Sequence, residues 1–224
     1  MRVVARPHGP LPGSISARHV AAAVLAAALV GVGLGVALHE LRSGGAPAAS
    51  RLPAFHGQAV WASGERPAPR FTLRDERGAP LSLSSLRGRP VLLTFLDSRC
   101  RNQCPVEGRE LASVFTRLPA ASRPALLVVS VDPRGDTPAS IRHAMRSWGL
   151  AGRWRWHWLN GSRAQLEQVW RAYGITVDPA SGDIVHSLVL YLIDRRGDER
   201  TAYLFPFLPG FLQRDLAALA RAGA

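Results

Sequence analysis

The chain contains no lysine: all 28 of its basic residues are arginine, set against 16 acidic ones for a formal net charge of +12. An excess of that size would suit a nucleic-acid binder or a protein lying on anionic lipid. The arginines are scattered, however, and no basic run of about 5–8 residues marks a patch of that kind. Nucleic acid is therefore not an expected partner, and the excess reads as an Arg-rich, Ala-rich composition. Cysteine is almost absent too, with two in 224 residues. Any metal site or redox pair must take its further groups from elsewhere in the chain. Hydrophobic content of 47% with 20% charged residues describes a folded protein, not a disordered one.

Charge is also missing from Val20 to Leu38, "VAAAVLAAALVGVGLGVAL". As a helix at about 1.5 Å per residue, that run would come close to the hydrocarbon thickness of a bilayer. It exceeds the usual apolar region of a cleavable leader and runs into "HELRS", a poor cleavage site. It reads as a retained single-pass anchor behind a short tail, residues 1–19. Arg2, Arg6 and Arg18 precede it, whereas Glu40, Arg42 and Arg51 follow. That mild bias favours a cytoplasmic N-terminus, with the main domain on the periplasmic or extracytoplasmic side. Residues 39–69 are rich in Gly, Ala, Ser and Pro and read as a tether with a short ordered piece around Phe55 to Trp61. Residues 70–224 are left as the folded domain.

Within it, "PVLLTFLD" (Pro90 to Asp97), "ALLVVSVD" (Ala125 to Asp132) and "SLVLYLID" (Ser187 to Asp194) are apolar runs suited to strands covered on both faces. "WRWHWL" (Trp154 to Leu159) alternates, as a half-buried edge strand does. Apolar stripes at Leu111/Val114/Phe115/Leu118, Ile141/Ala144/Met145/Trp148 and Leu166/Val169/Trp170/Tyr173 predict helices. Thr137–Pro138 and Ser162 with Gln165 mark two helix starts, and Pro105 a third. "RRGD" predicts a hairpin into "ERTAYLF", and a last helix follows from about Phe211 to Ala222. The order βαβαβαββα gives an α/β fold with helices on both faces of one sheet.

Both cysteines fall in "DSRCRNQCPVEGREL", residues 97 to 111, directly after the first of these strands. Cys100 and Cys104 could form a structural disulfide, a redox-active pair or two legs of a metal site, and spacing alone does not choose. A disulfide would close so small a loop that it would constrain little chain entropy. Cys104 precedes Pro105 and is biased away from helical dihedrals, which puts both thiols in the loop with Cys104 near the helix start. The helix N-terminus and the flanking Arg99 and Arg101 favour thiolate, the form that attacks disulfides and binds metal.

The ordered set "RCRNQCP", "VSVDPRGDTP", "RWHWLNGSRAQLEQVWRAYGI" and "IVHSLVLYLIDRRG" resembles the SCO/SenC family of membrane-tethered, thioredoxin-like copper proteins, over roughly Phe71 to Ala220. The resemblance implies a thioredoxin-like fold, a central mixed sheet with helices on both faces, behind an N-terminal transmembrane helix. It implies copper bound by Cys100, Cys104 and His186, His186 arriving on a strand antiparallel to the one ending at Asp97. Two thiolates and one imidazole suit Cu(I), although zinc can use the same groups. The implied function is a metallochaperone for the copper centre of cytochrome c oxidase, the partner being that subunit or another copper acceptor. The alternative is a thiol–disulfide oxidoreductase using Cys100 and Cys104 alone. No proline lies between Pro179 and Pro206, so the cis-proline of an ordinary thioredoxin is missing where His186 falls.

Two positions depart from the family pattern: Arg101 replaces a usual proline, and Val185 a common Asp before the histidine. That Asp would orient the imidazole, and Asp183 is the nearest substitute. His143 and His157 read most simply as solvated residues, and His56 as a tether residue able to touch metal transiently. Asp132 and Asp136 read as turn and cap residues near the site.

Overall fold

The computed structural model describes residues 55–152, 154–178 and 184–222. The expected span at 20–38, the tether before Phe55, and Asp183 lie outside the described residues. Among the described residues no helix is long and apolar enough to cross a membrane.

The strands are β1 (Ala59–Val60), β2 (Thr72–Arg74), β3 (Pro80–Ser82), β4 (Val91–Leu96), β5 (Ala125–Ser130), β6 (Trp156–Leu159), β7 (Val177–Asp178), β8 (Val185–His186), β9 (Val189–Ile193) and β10 (Glu199–Leu204). The longer helices are α1 (Gln103–Arg117), α2 (Pro138–Ser147), α3 (Arg163–Ala172) and α4 (Pro209–Arg221). Six strands form one mixed sheet in the order β1-β10-β9-β4-β5-β6. β4 pairs parallel with β5 and antiparallel with β9, through Val91 opposite Ile193 and Leu93 opposite Tyr191.

The apolar runs become the middle of this sheet because both of their faces are covered: every residue of β4, β5 and β9 is buried. Alternation along β4 divides two cores. Leu92 and Leu96 join Leu111 and Phe115 of α1, Met145 of α2 and Leu212 of α4 on one face. Leu93 and Phe95 join Leu166 and Trp170 of α3 and Leu73 of β2 on the other. β6 lies at the edge, with Trp154, Trp156 and Trp158 all against the first core, as their period of two requires.

Local chemistry sets most of the element ends. Thr137 and Ser162 both close capping boxes, with Ser140 and Gln165 answering their backbone N–H groups. The β9–β10 hairpin turns through Gly197 at φ 90°, a conformation glycine adopts without strain. α1 differs from expectation. It starts at Gln103, so Cys104 lies within its first turn and Pro105 is the third residue, not the first. Proline is accepted there because first-turn N–H groups have no intrahelical acceptor in any case.

The folded unit also reaches back before residue 70. β1 pairs with the outer edge of β10, Pro67 bridges Asp198, and Phe55 and Ala68 are buried. His56 is fixed as well. Its backbone N–H donates to Asp215 Oδ2 at 2.7 Å, its Nδ1 lies 2.6 Å from Asp215 Oδ1, and its ring stacks on Phe211. The chain therefore enters the domain at Phe55 with His56 held against α4, not free to reach a metal.

Candidate metal and redox site

β4 ends at the carboxyl edge of the sheet, and its loop carries the first cysteine. Asp97 shapes that loop, its carbonyl accepting from the Cys100 N–H at 3.3 Å and its Oδ1 from the Arg99 N–H at 2.7 Å. A second brace comes from Asp136 in "VDPRGDTP". Its Oδ1 accepts from the Ser98 N–H at 2.8 Å and its Oδ2 from Trp158 Nε1 at 3.0 Å. Burial pushes the Asp136 carboxyl up to about 6, against the hydrogen bonds that favour its charge. Asp132 does act as a turn residue, its Oδ1 accepting from the Gly135 N–H. Asp136 does more than cap, since it ties the cysteine loop to β6.

The two thiols are inequivalent. Cys104 is fully buried at the start of α1, while Cys100 is half-buried, and both are free. A hydrogen bond from the Cys104 thiol draws the Cys100 pKa down to about 6; burial and the Asp97 charge oppose it, while the N–H groups of Cys104 and Asn102 assist. The same hydrogen bond, together with burial, drives the Cys104 pKa upward. The pair therefore carries one proton near neutral pH, placed on the inner sulfur. Arg99 and Arg101, which the sequence suggested as the source of thiolate character, are not among the main causes of this asymmetry; both are exposed, where solvent screens their charge.

The antiparallel pairing of β4 with β9 brings the residues just before β9 to the same sheet edge. His186 sits there on β8, opposite Val177 of β7. Its Nε2 lies 3.8 Å from Cys104 Sγ, and its Nδ1 lies 3.1 Å from the Ser187 carbonyl. A carbonyl oxygen only accepts, so the proton belongs on Nδ1 and the Nε2 lone pair faces the Cys104 sulfur. Burial lowers the imidazole pKa and keeps it neutral. The Ser187 carbonyl thus orients the ring from one side, where Val185 offers no carboxylate. Cys100, Cys104, His186, Asp97 and Asn102 line a cavity of about 200 Å³. The three donor atoms do not all lie within 4.8 Å of one another, so joining them on one ion requires a side-chain adjustment.

Glu107 is a member of this region that the sequence reading missed. It is fully buried one turn beyond Cys104, and Thr94 Oγ1 donates to its Oε1 at 2.6 Å. Its position four residues before Leu111 extends the apolar stripe of α1 backwards, a signal available in the sequence. His157 is likewise not solvated as expected, facing Asp75 and Glu76 with its side chain 19% exposed. His143 is exposed, as expected.

Residues 62–220 match the SCO1/SenC family model. The chain belongs to the SCO1/SenC family. Among its relatives, this SCO1/SenC chain is 32% identical over 161 residues to a Stutzerimonas stutzeri protein named for copper binding, spanning 68% of this chain and 76% of that one. It is 32% identical over 189 residues to a mitochondrial SCO2 homolog of Bos taurus, spanning 78% of this chain and 66% of the bovine protein. The fold matches copper-bound ScoI of Arabidopsis thaliana with TM-score 0.60 at 20% identity, over 69% of this chain and 98% of that one. It also matches BsSco, described as having a disulfide switch and as a member of the Sco family of cytochrome c oxidase assembly proteins. There the TM-score is 0.61 at 21% identity, over 73% of this chain and 98% of that one.

Proposed function

We propose that this SCO1/SenC chain is a membrane-anchored copper metallochaperone that binds its cargo through Cys100, Cys104 and His186. The observation that carries the reading is the 3.8 Å approach of His186 Nε2 to Cys104 Sγ, with the lone pair of the imidazole on the side of that sulfur. Two sulfurs and one neutral imidazole in a small half-buried cavity form a soft donor set of low coordination number, which suits Cu(I). The half-exposed Cys100 gives an acceptor's thiolates a route to exchange ligands one at a time. The copper-named relative and the copper-bound neighbours support copper as the cargo. The acceptor is then the copper-centre subunit of cytochrome c oxidase, a reading supported by the assembly role ascribed to BsSco. The anchor is Val20 to Leu38, with a cytoplasmic N-terminus and the domain outside.

A second reading has its own observation. The inner thiol hydrogen-bonds to a Cys100 whose pKa is held near 6, which is the asymmetry of a dithiol that attacks through one sulfur and resolves through the other. The disulfide switch described for BsSco is consistent with it. The deciding experiment measures copper bound by the reduced full-length protein and by His186→Ala. One tightly held copper per chain, lost or much weakened in the variant, is the result expected of the metallochaperone. Unchanged affinity in His186→Ala removes that ligand. No stoichiometric copper, with a pair that cycles between dithiol and disulfide, leaves the oxidoreductase.

A further inference from the structure

Away from the cysteines, the β2–β3 hairpin folds onto the edge strand β6. Arg74 and Asn160 exchange two backbone hydrogen bonds, at 2.9 and 2.8 Å, which pins the hairpin beside the end of that strand. The next two residues of the turn, Asp75 and Glu76, are thereby aimed at His157. Asp75 Oδ1 is used inside the turn, accepting from the N–H groups of Arg77 and Ala79. Its Oδ2 is left facing His157 Nδ1 at 3.9 Å, while Glu76 Oε2 stands 3.6 Å from the same nitrogen. The side chains are only 10%, 13% and 19% exposed for Asp75, Glu76 and His157.

The separations are informative. They exceed the roughly 2.7–3.2 Å of an N–H···O hydrogen bond, and His157 Nδ1 is buried with no hydrogen-bond partner. Metal–ligand bonds of about 2.0–2.2 Å in a tetrahedral site put ligand atoms roughly 3.4 Å apart, close to what is seen here. Among the described residues this is the one His/Cys/Asp/Glu triple whose donor atoms all lie within 4.8 Å of each other. A cavity of about 390 Å³, lined also by Trp154, Arg155 and Trp156, opens on it and leaves room for a water as fourth ligand. Glu76 Oε2 also accepts from the Trp158 N–H at 3.3 Å, and Glu76 Oε1 lies 3.5 Å from Arg77 Nε, so the carboxylate is oriented from both sides. The competing account is an ion pair of protonated His157 with the two carboxylates, which the same separations allow and which would take up no cobalt.

We propose that Asp75, Glu76 and His157 form a second metal site, for a divalent first-row transition cation such as Zn²⁺. One imidazole nitrogen with two carboxylates suits that class, whereas Mg²⁺ and Ca²⁺ take oxygen ligands in larger coordination shells. The ion ties the hairpin to β6, and none of its ligands belongs to the cysteine site.

The test uses full-length protein carrying Cys100→Ser and Cys104→Ser, stripped with chelator and titrated with Co²⁺ followed by Zn²⁺. The expected result is one Co²⁺ per chain, with d–d absorption, no sulfur-to-cobalt charge transfer, and displacement by Zn²⁺. His157→Ala on this background weakens binding by about 100-fold or more, since loss of an outer-shell partner already costs about 10–100-fold. Glu76→Gln, which keeps the side-chain shape and the acceptor for the Trp158 N–H, does the same and serves if His157→Ala does not fold. The proposal is overturned if the cysteine-free protein takes up no Co²⁺, or if Glu76→Gln binds it unchanged. With both thiols removed, either result is independent of the fate of the copper reading.

Discussion

Glu107 offers the most quantitative check on this structure. The side chain is fully buried beneath the cysteine pair, one oxygen accepts from Thr94 and the other has no hydrogen-bond partner. Burial drives its carboxyl from the ordinary 4.5 up to about 8, opposed by the Thr94 hydrogen bond and assisted by the charges of Glu110 and Cys100. Between these two values the folded protein holds a proton that the unfolded chain has released. Stability from this group is therefore complete below pH 4.5, falls as pH rises toward 8, and is level beyond. At about 1.36 kcal/mol per unit, the loss is about 3 kcal/mol by pH 7.

Glu107→Gln removes the titration while keeping shape, neutrality and an acceptor for Thr94. The assay is denaturant unfolding of both proteins at pH 5, 6, 7 and 8, with chelator and reductant present. The stability of the variant relative to the parent should climb by about 1.4 kcal/mol per pH unit across most of that range. The buried amide adds a constant offset, so the slope is the test. A difference independent of pH would show that Glu107 is ionised in the folded protein and would refute the reasoning.

The alkylation rate of Cys100 should rise with a midpoint near pH 6, and Cys104→Ala should move that midpoint upward by removing the hydrogen bond that lowers it most. A midpoint that stays in place in the variant, read by mass spectrometry, would mean that the inner thiol does not tune the outer one. Gly108→Ala should cost about 1–3 kcal/mol in thermal or denaturant unfolding, because a Cβ there would lie 2.8 Å from Trp148 where α1 meets α2. Unchanged stability would mean that the two helices are not so closely packed.

The central fold was legible because its signals are strong and local. Three continuous apolar runs suit covered strands, three stripes at helical spacing suit half-buried helices, and two capping boxes mark helix starts. The short pieces were not. β2, β3, β7 and β8 have two or three residues each, too few to show a period, and they exist because neighbouring segments supply their hydrogen bonds. The same holds for β1, whose place is set by the unpaired edge of β10. At the site, the sequence placed two thiols and a histidine but erred on what lowers the Cys100 pKa. The arginines flanking the cysteine in sequence are exposed, whereas the largest cause is the sulfur four residues on. His157 was misread for a related reason: its carboxylate partners lie some eighty residues away, across a hairpin that no periodicity announced.

The division of protons at the site leads to a last consequence for loading. Near pH 7 Cys100 is ionised, Cys104 keeps its proton, and His186 is neutral with its only N–H committed to the Ser187 carbonyl. A cation taken up by all three donors meets a bare imidazole nitrogen, one thiolate already formed and one thiol still to be ionised. Loading at neutral pH should therefore release about one proton, that of Cys104, where two ordinary thiols would release nearly two. As pH falls below about 6 Cys100 holds its own proton, and the release should rise toward two. Cu(I) titration calorimetry in buffers of different ionisation enthalpy measures this number directly. Release of two protons at pH 7 would mean that the hydrogen bond between the sulfurs does not hold Cys100 ionised. One proton at pH 7 with two at pH 5 would make Cys100, tuned by the inner thiol, the group through which pH controls loading.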